Sequence, residues 1–336
     1  MGSRYRVPTI PGNARLYLSE RASHAEWLKA RQAGVGASEI GALLGVSEYM
    51  TPFSVWQAKV GESKDLSGLA PIEWGHRLED AVAQKAADEL GLVARTGGGI
   101  WQHPDHEFAL CTPDRIATKR RSWVGQGLIE CKTAGSDEDW AEGHAPLSYL
   151  AQVQWQLGIT GFDVGWLACL VLGSSRDFYI VEVKFDKDWF GEMIEVARSF
   201  WYQNVVAWEP PMLDLAHPIS DELLKELYPK VIRPSTDLDE DAIEWVREYH
   251  QAKVEADSAN RRLEQIKNYF RMQLQDAQRG YVGEDMVVSY PEVSPKRVDV
   301  KLLQEKYPEI AEEVTTRSTH RRLTIAKVPK RYLEEE

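Results

Sequence analysis

The sequence of 336 residues has no apolar run close to the roughly twenty residues that a transmembrane helix needs, so no membrane span is predicted. Its first residues lack the apolar segment of a secretory signal peptide. Cysteine is also scarce. The three thiols, Cys111, Cys131 and Cys169, are too few for the four thiolates of an iron–sulfur cluster. Their scatter through apolar, strand-like segments is typical of reduced, buried thiols, so a cytoplasmic location is expected.

Signals for zinc and for ATP are missing as well. The eight histidines form no zinc-like cluster, because His103 and His106 are three residues apart but have no further partners at ligand spacing. No glycine-rich phosphate loop of the Walker type occurs, so nothing in the sequence indicates the use of ATP.

Positive charge is in short supply, since 40 Lys and Arg residues stand against 52 Asp and Glu residues and give a net charge of −12 at pH 7. Taken alone, this balance argues against a nucleic-acid partner, because neutralisation of phosphates dominates such binding. Two local runs are nevertheless basic. One is Lys119-Arg120-Arg121, and the other is the acid-free segment 316–331 with Arg317, Arg321, Arg322, Lys327, Lys330 and Arg331. Each run is either a DNA contact or an ordinary solvated edge.

The order of helical and strand-like patterns predicts an α/β fold. Four helices are expected before residue 91, followed by short strands between 92 and 132. The remainder of this region predicts a helix at 146–157, two strands at 163–172 and 177–185, and a helix at 187–207. This order favours a mixed central β-sheet flanked by helices.

A cluster of prolines after residue 208 predicts a domain boundary. We therefore expect a first domain at 1–208, a linker with a short helix at 209–236, and a C-terminal α+β extension at 237–336. The extension is predicted to contain a long polar helix at 237–277 and to end in a strand at 320–328.

The strongest chemical signal comes from one aspartate and a Glu-x-Lys triplet. Fifteen residues separate Asp114 from Glu130, and this gap allows the two acids to lie on the strands of one β-hairpin. Since alternate side chains of a strand share a face, Glu130 and Lys132 are expected together, with Cys131 pointing away. Carboxylates suit Mg²⁺, and a neighbouring lysine can hold or activate an attacking water. The pattern is typical of Mg²⁺-dependent nucleases, but it also occurs on ordinary solvated strands.

Five blocks of sequence, in this order along the chain, resemble the YqaJ-type phage recombination exonucleases. The blocks are Arg31 with Gly34–Glu39, Trp74-Gly75 with Glu79, Cys111–Asp114, Leu128–Lys132, and Tyr149–Gln154. This lambda exonuclease-like family belongs to the PD-(D/E)xK nuclease superfamily, so the resemblance implies a PD-(D/E)xK nuclease core. The family usually has glycine after the aspartate of the third block, where this chain has Arg115.

The resemblance also implies catalytic and metal-binding roles. The catalytic residues would be Asp114, Glu130, Lys132 and Gln152, with Gln152 orienting substrate or water. The metal ligands would be Glu79, Asp114, Glu130 and the carbonyl of Cys131. The expected metal is Mg²⁺, with two ions in each site and Mn²⁺ as a substitute.

Contacts to DNA follow from the same resemblance. Arg31 and Ser38 would hold the 5′-phosphate of the strand being degraded, which agrees with the planar fork that Arg31 offers to phosphate. Arg115, Arg321 and Arg322 are further candidate DNA contacts.

The implied activity is Mg²⁺-dependent 5′-to-3′ degradation of one strand of linear double-stranded DNA. The 3′ single strand that remains would serve recombination with a single-strand annealing protein. The resemblance further implies a homo-oligomer, a ring-shaped trimer. Two alternatives stay open: a structure-specific DNA endonuclease of the same fold, and a non-catalytic DNA-end-binding protein.

Overall fold

The computed structural model describes residues 6–61, 68–140, 143–172, 178–316, 320–329 and 332. The chain forms two compact units, Met1–Glu226 and Leu227–Glu336. Within the described residues, no helix is both long and apolar enough to span a membrane.

The first unit is built on a five-stranded mixed sheet with the strand order β2-β5-β6-β7-β8. Only β6 and β7 run parallel, and the other neighbours are antiparallel. The predicted mixed sheet with flanking helices is therefore confirmed. Its strands are β2 (Val93–Thr96), β5 (Arg115–Thr118), β6 (Gly125–Ala134), β7 (Val164–Val171) and β8 (Phe178–Lys184).

Helix α5 (Leu147–Thr160) makes the crossover between the two parallel strands, as such a connection requires. It is buried along most of its length, and Trp155 and Leu157 are fully buried in it. The helix ends at Gly161, whose φ of 79° is the left-handed conformation that glycine adopts without strain. Helix α5 thereby fixes one face of the sheet beside β6.

Helix α4 (Ala70–Leu90) covers the opposite face of the sheet. Its apolar side, with Val82 and Ala86, packs against Ile129 of β6 and Ala168 of β7. It is the last of the four helices predicted before residue 91, and it ends at Gly91, whose φ of 67° is left-handed.

Three short helices and a second sheet complete the first unit. The helices are α1 (His24–Arg31), α2 (Ala37–Leu43) and α3 (Pro52–Val60). The sheet has the order β1-β3-β4, with β1 (Arg15–Ser19), β3 (Gly99–Gln102) and β4 (Leu110–Cys111).

Helix α6 (Lys187–Phe200) continues as a π-helix, Trp201–Val206, where the sequence predicts one helix at 187–207. Its residues Phe190 and Met193 join Trp155 of α5 and Ile40 of α2 in the largest apolar core. Helix α7 (Ser220–Leu227) follows.

The second unit is dominated by the long helix α8 (Ala242–Leu274), which confirms the predicted polar helix in a shorter form. A hairpin of β9 (Arg279–Val282) and β10 (Asp285–Ser289) follows, and then α9 (Val300–Lys306) and α10 (Pro308–Glu313).

The predicted final strand at 320–328 is wrong. Residues 320–329 have no regular secondary structure, because they pair with no strand among the residues that the structure describes. Three basic residues of the predicted tail run, Arg317, Lys330 and Arg331, lie outside the described residues.

Candidate active site

Asp114 lies directly before β5 and is held by the neighbouring strand. Its Oδ2 accepts a hydrogen bond from the backbone N–H of Cys131 at 2.8 Å. Gly97 permits this arrangement, since a Cβ at that position would stand 1.8 Å from the carbonyl oxygen of Pro113. The close approach of these two segments places the aspartate at the edge of β6, as the predicted hairpin requires.

Glu130 and Lys132 share one face of β6, and their side chains are in contact. The Nζ of Lys132 donates to Glu130 Oε1 at 2.7 Å and to Gln152 Oε1 at 3.0 Å. The amide of Gln152 also donates to Glu130 Oε1. Cys131 packs on the opposite face, in the cluster beneath α4. The alternation expected from the sequence is therefore confirmed.

Lys132 keeps its charge in this environment. Burial opposes the charge, but the carboxylates of Glu130 and Asp114 outweigh that effect and raise the pKa of the Lys132 amine. The ring of Tyr149 adds a cation–π contact, with Nζ 4.8 Å from the ring centroid. The ammonium group is thus fixed between a carboxylate, an amide and an aromatic face.

Gln156 is a member of this group that the family blocks do not include. Its Nε2 donates to Glu130 Oε2 at 2.8 Å, and the side chain is fully buried. Its Oε1 accepts no hydrogen bond from any residue that the structure describes. Gln156 follows Gln152 by one helical turn, and this spacing of four residues was the available signal.

Glu79 approaches the site from α4 and is paired with Arg115. The Nη1 of Arg115 donates to Glu79 Oε1 at 2.5 Å and to the carbonyl oxygen of Asp114 at 2.7 Å. Arg115 thereby links α4 to Asp114, the residue before it in the chain. In the described part of the chain, no three Asp, Glu, His or Cys side chains stand as a complete metal-binding group.

A cavity of about 190 Å³ brings these residues together. Glu79, Asp114, Glu130 and Lys132 all line it. A single water needs only about 10–15 Å³ of such space, so an ion with several waters can enter. The sequence-predicted acids and the lysine therefore face one common volume.

The electrostatics of this cavity fit a divalent cation. Burial, and after it the charge of Glu130, raise the pKa of the Asp114 carboxyl well above its usual value, and Glu79 adds to the effect. Carboxylate oxygens are the ligands that Mg²⁺ prefers, and a cation would relieve their mutual repulsion. The donor set that fits best is Asp114 and Glu130, which share the cavity wall next to Lys132.

Arg31 is the last residue of α1, and Ser38 lies in the first turn of α2, next in sequence to a residue of a buried ion pair. Glu39 is 4% exposed, caps the helix through the N–H of Gly36 at 2.7 Å, and contacts Lys59 Nζ at 2.7 Å. The guanidinium of Arg31 is 3.6 Å from Glu39 and lies over an aromatic ring, while Ser38 is exposed.

The sequence analysis missed the roles of Glu39 and Lys59. The capping spacing from Gly36 to Glu39 was a signal for the first, but nothing local points to Lys59. Burial lowers the pKa of the Lys59 amine. Because the amine also donates to the carbonyl oxygen of Arg31 at 2.6 Å, the pair fixes the backbone of that arginine.

Helix α2 packs closely on the helix that carries Gln152. A Cβ added at Gly41 would lie 3.2 Å from the Cβ of Ser148 in α5, so the two backbones are nearly in contact. The first turn of α5 therefore contacts α2 through Ser148 and contacts Lys132, which lines the cavity, through Tyr149.

Arg321 and Arg322 belong to the second unit and are exposed. Arg321 donates to the carbonyl oxygen of Tyr228 at 3.0 Å. The residues that line the cavity all come from the first unit.

Comparison with known proteins agrees with the recognised pattern. Residues 26–163 match the model of the YqaJ-like viral recombinase domain. The chain is 28% identical over 312 residues to the uncharacterized protein YqaJ of Bacillus subtilis (strain 168), covering 91% of this chain and 95% of that protein.

Two solved structures are similar to part of this chain. One is an alkaline exonuclease from Laribacter hongkongensis, 17% identical with a TM-score of 0.46, covering 60% of this chain and 97% of its own. The other is a phage-related exonuclease from Haemophilus somnus 129PT, 14% identical with a TM-score of 0.40, covering 52% and 96%. The match over residues 26–163 confirms the resemblance drawn from the five blocks, all of which lie within that range.

Proposed function

We propose that this protein is a Mg²⁺-dependent exonuclease that degrades one strand of linear double-stranded DNA from 5′ to 3′. The single observation that carries the proposal is the hydrogen-bonded group of Glu130, Lys132 and Gln152 on the wall that also holds Asp114. An acid pair, a charged amine and an amide at one cavity are the parts that metal-assisted phosphodiester hydrolysis needs. The match of residues 26–163 to the YqaJ-like viral recombinase domain supports the same reaction class.

Each residue has a distinct task in this mechanism. Asp114 and Glu130, with the carbonyl of Cys131, would hold the cation, and Glu79 would join them after release from Arg115. The metal supplies Lewis acidity and lowers the pKa of a bound water. Lys132 holds the attacking water or a phosphate oxygen with its ammonium group. Gln152 orients Lys132 and Glu130, both of which it contacts.

Recognition of the 5′ end is assigned to Arg31 and Ser38. Arg31 offers a planar fork that binds phosphate in a bidentate way, and its backbone is fixed by Lys59. Ser38 is exposed and precedes Glu39, which pairs with Arg31, so its hydroxyl can add a contact. Arg115 can turn from Glu79 to the phosphate of the substrate. Arg321 and Arg322 remain candidate DNA contacts of the second unit.

The product would be a 3′ single strand that a single-strand annealing protein uses in recombination. We assign contact with that partner, or with further copies of the chain in a ring-shaped trimer, to the second unit. Its helix α8 exposes large apolar residues, among them Trp245, Val254 and Met272, each at least 60% exposed. A measurement of mass in solution tests the trimer.

A time course on end-labelled linear duplex tests the reaction itself. The substrates carry either a 5′-phosphate or a 5′-hydroxyl, and parallel reactions contain Mg²⁺, Mn²⁺ or EDTA. We expect metal-dependent loss of the 5′-phosphorylated strand from its 5′ end, with slower loss of the hydroxyl form. Cleavage of covalently closed circles would instead establish a structure-specific endonuclease. Binding of ends without turnover would establish a non-catalytic end-binding protein.

A further inference from the structure

A basic turn joins β5 to β6 at the end of the hairpin away from Asp114. Lys119, Arg120 and Arg121 are all exposed there, and the turn is closed by the N–H of Ser122, which donates to the carbonyl oxygen of Lys119 at 2.9 Å. Arg121 has a φ of 64°. Within the described residues, none of these three side chains pairs with a carboxylate. Three adjacent cations without counter-charges are unusual in a chain with a net charge of −12.

Two more cations join the turn around one tryptophan. The guanidinium carbons of Arg95 and Arg6 lie 4.0 Å and 4.9 Å from the centroid of a Trp123 ring. Arg95 is also fixed by a hydrogen bond to Thr118 Oγ1 at 2.9 Å. The carbonyl oxygen of Trp123 accepts from the N–H of Thr9 at 2.7 Å, which anchors the backbone of this residue. We call these five cations, Arg6, Arg95, Lys119, Arg120 and Arg121, the hairpin patch.

The hairpin patch and the cavity occupy opposite ends of the same strand. Asp114 precedes β5 and Lys119 follows it, so the four residues of β5 lie between them and five residue-to-residue steps of extended chain connect them. At about 3.3 Å per residue, the separation is about 17 Å. A B-form duplex rises about 3.4 Å per base pair, so this distance corresponds to about five base pairs.

We propose that the hairpin patch binds the phosphate backbone of duplex DNA about five base pairs from the bond that is cut. The inference rests on the proposed function and adds to it a second point of contact with the substrate. Lysine and arginine contacts to phosphate supply affinity without reading sequence, as a nuclease that moves along DNA requires.

A duplex fits the hairpin patch better than a single strand does. Proteins that hold single strands offer open aromatic faces on which bases stack. Trp123 offers its ring to Arg6 and Arg95 instead, and the ring thereby orients cations for phosphates.

The test is the salt dependence of binding, measured with the full chain carrying Asp114→Asn so that the DNA stays intact. The parent is compared with a variant that also carries Lys119→Ser, Arg120→Ser and Arg121→Asn, on a blunt 5′-phosphorylated duplex of about 30 base pairs. Asparagine is chosen at 121 because it tolerates the positive φ. Each lost phosphate contact makes the negative slope of log K against log salt shallower by about 0.9, so three lost contacts make it shallower by about 2.7. The affinity advantage of the parent then shrinks about 40-fold between 50 and 200 mM salt.

A control variant loses the same number of positive charges, but at three cations that already pair with carboxylates. Lys85, Lys184 and Arg198 lie 2.8, 4.0 and 2.7 Å from Glu89, Glu182 and Glu195, and their replacement by serine should leave the slope unchanged. The conservative pair Arg120→Lys and Arg121→Lys should also keep the slope of the parent.

Three outcomes would overturn the proposal. The first is an unchanged slope in the triple variant while the wild-type chain still cleaves and the parent still binds. This result would rule out DNA binding by the hairpin patch and leave the proposed function standing. An equal loss of affinity for single-stranded DNA assigns these cations to a strand and not to a duplex. If the wild-type chain neither cleaves nor binds duplex DNA, both the proposed function and the role of the hairpin patch are ruled out.

Discussion

The substitution Gln156→Leu tests whether Gln156 orients Glu130, and we expect it to do so with little change in the stability of the fold. The substitution removes a buried hydrogen bond of 2.8 Å to a carboxylate oxygen, which is worth about 1.5–3 kcal/mol. It also removes a buried carbonyl oxygen that has no partner among the described residues, a relief of about 1–3 kcal/mol. The two effects largely cancel, so we expect the free energy of unfolding to change by less than about 2 kcal/mol.

Metal binding should respond much more strongly to the same change. Glu130 loses the donor that fixes its second oxygen, and loss of such a supporting contact lowers metal affinity by about 10–100-fold. Titration calorimetry with Mg²⁺ and Mn²⁺ measures the affinity, and denaturant unfolding measures the stability.

Gln154→Leu is the matched control on the same helix. Gln154 donates to the carbonyl oxygen of Lys184 and accepts from the N–H of Asp186 at 3.0 Å, away from the cavity. Its loss should lower stability by about 2–3 kcal/mol and leave metal affinity within about twofold. Equal metal affinities for Gln156→Leu and the wild type would refute the role given to Gln156.

Three further changes test other parts of the structure. Lys132→Ala should lower the rate of DNA degradation at least about 100-fold in a gel assay, because the attacking water loses its ammonium partner. Lys59→Met should lower the free energy of unfolding by about 3–5 kcal/mol, since it removes the buried and closer of the two cations that face Glu39. Gly97→Ala should cost about 1–3 kcal/mol in denaturant unfolding, because a Cβ would overlap the carbonyl oxygen of Pro113.

Each of these three has a result that contradicts it. Retention of a tenth of the wild-type rate would show that Lys132 is dispensable. Adding Glu39→Gln to Lys59→Met should recover part of the lost stability, and no recovery would contradict the buried ion pair. Wild-type stability in Gly97→Ala would mean that the backbone next to Pro113 moves away from the added Cβ at little cost in free energy.

The sequence predicted best those features that depend on local pattern. The face shared by Glu130 and Lys132 follows from the period of a strand, and the end of α4 follows from Gly91. The spacing of Asp114 to the Glu-x-Lys triplet predicted that this residue lies beside β6, and the family blocks added the role of Gln152, which contacts Lys132.

Contacts between distant segments could not be read in this way. Strand β1 was not predicted, since it is stabilised by pairing with β3, more than eighty residues later in the chain. The pair of Arg115 with Glu79 joins residues 36 apart, and the pair of Lys59 with Glu39 has no local pattern. The final strand at 320–328 failed for the opposite reason, because a strand-like pattern found no partner.

The central claim is that Asp114 and Glu130 hold a common divalent cation beside Lys132. The most direct measurement is a crystal of the full chain soaked in Mn²⁺, with anomalous scattering used to locate the metal. We expect a peak within coordination distance of both carboxylates, and its loss in Asp114→Asn. A peak that lies elsewhere, or one that persists unchanged in that variant, would contradict the account.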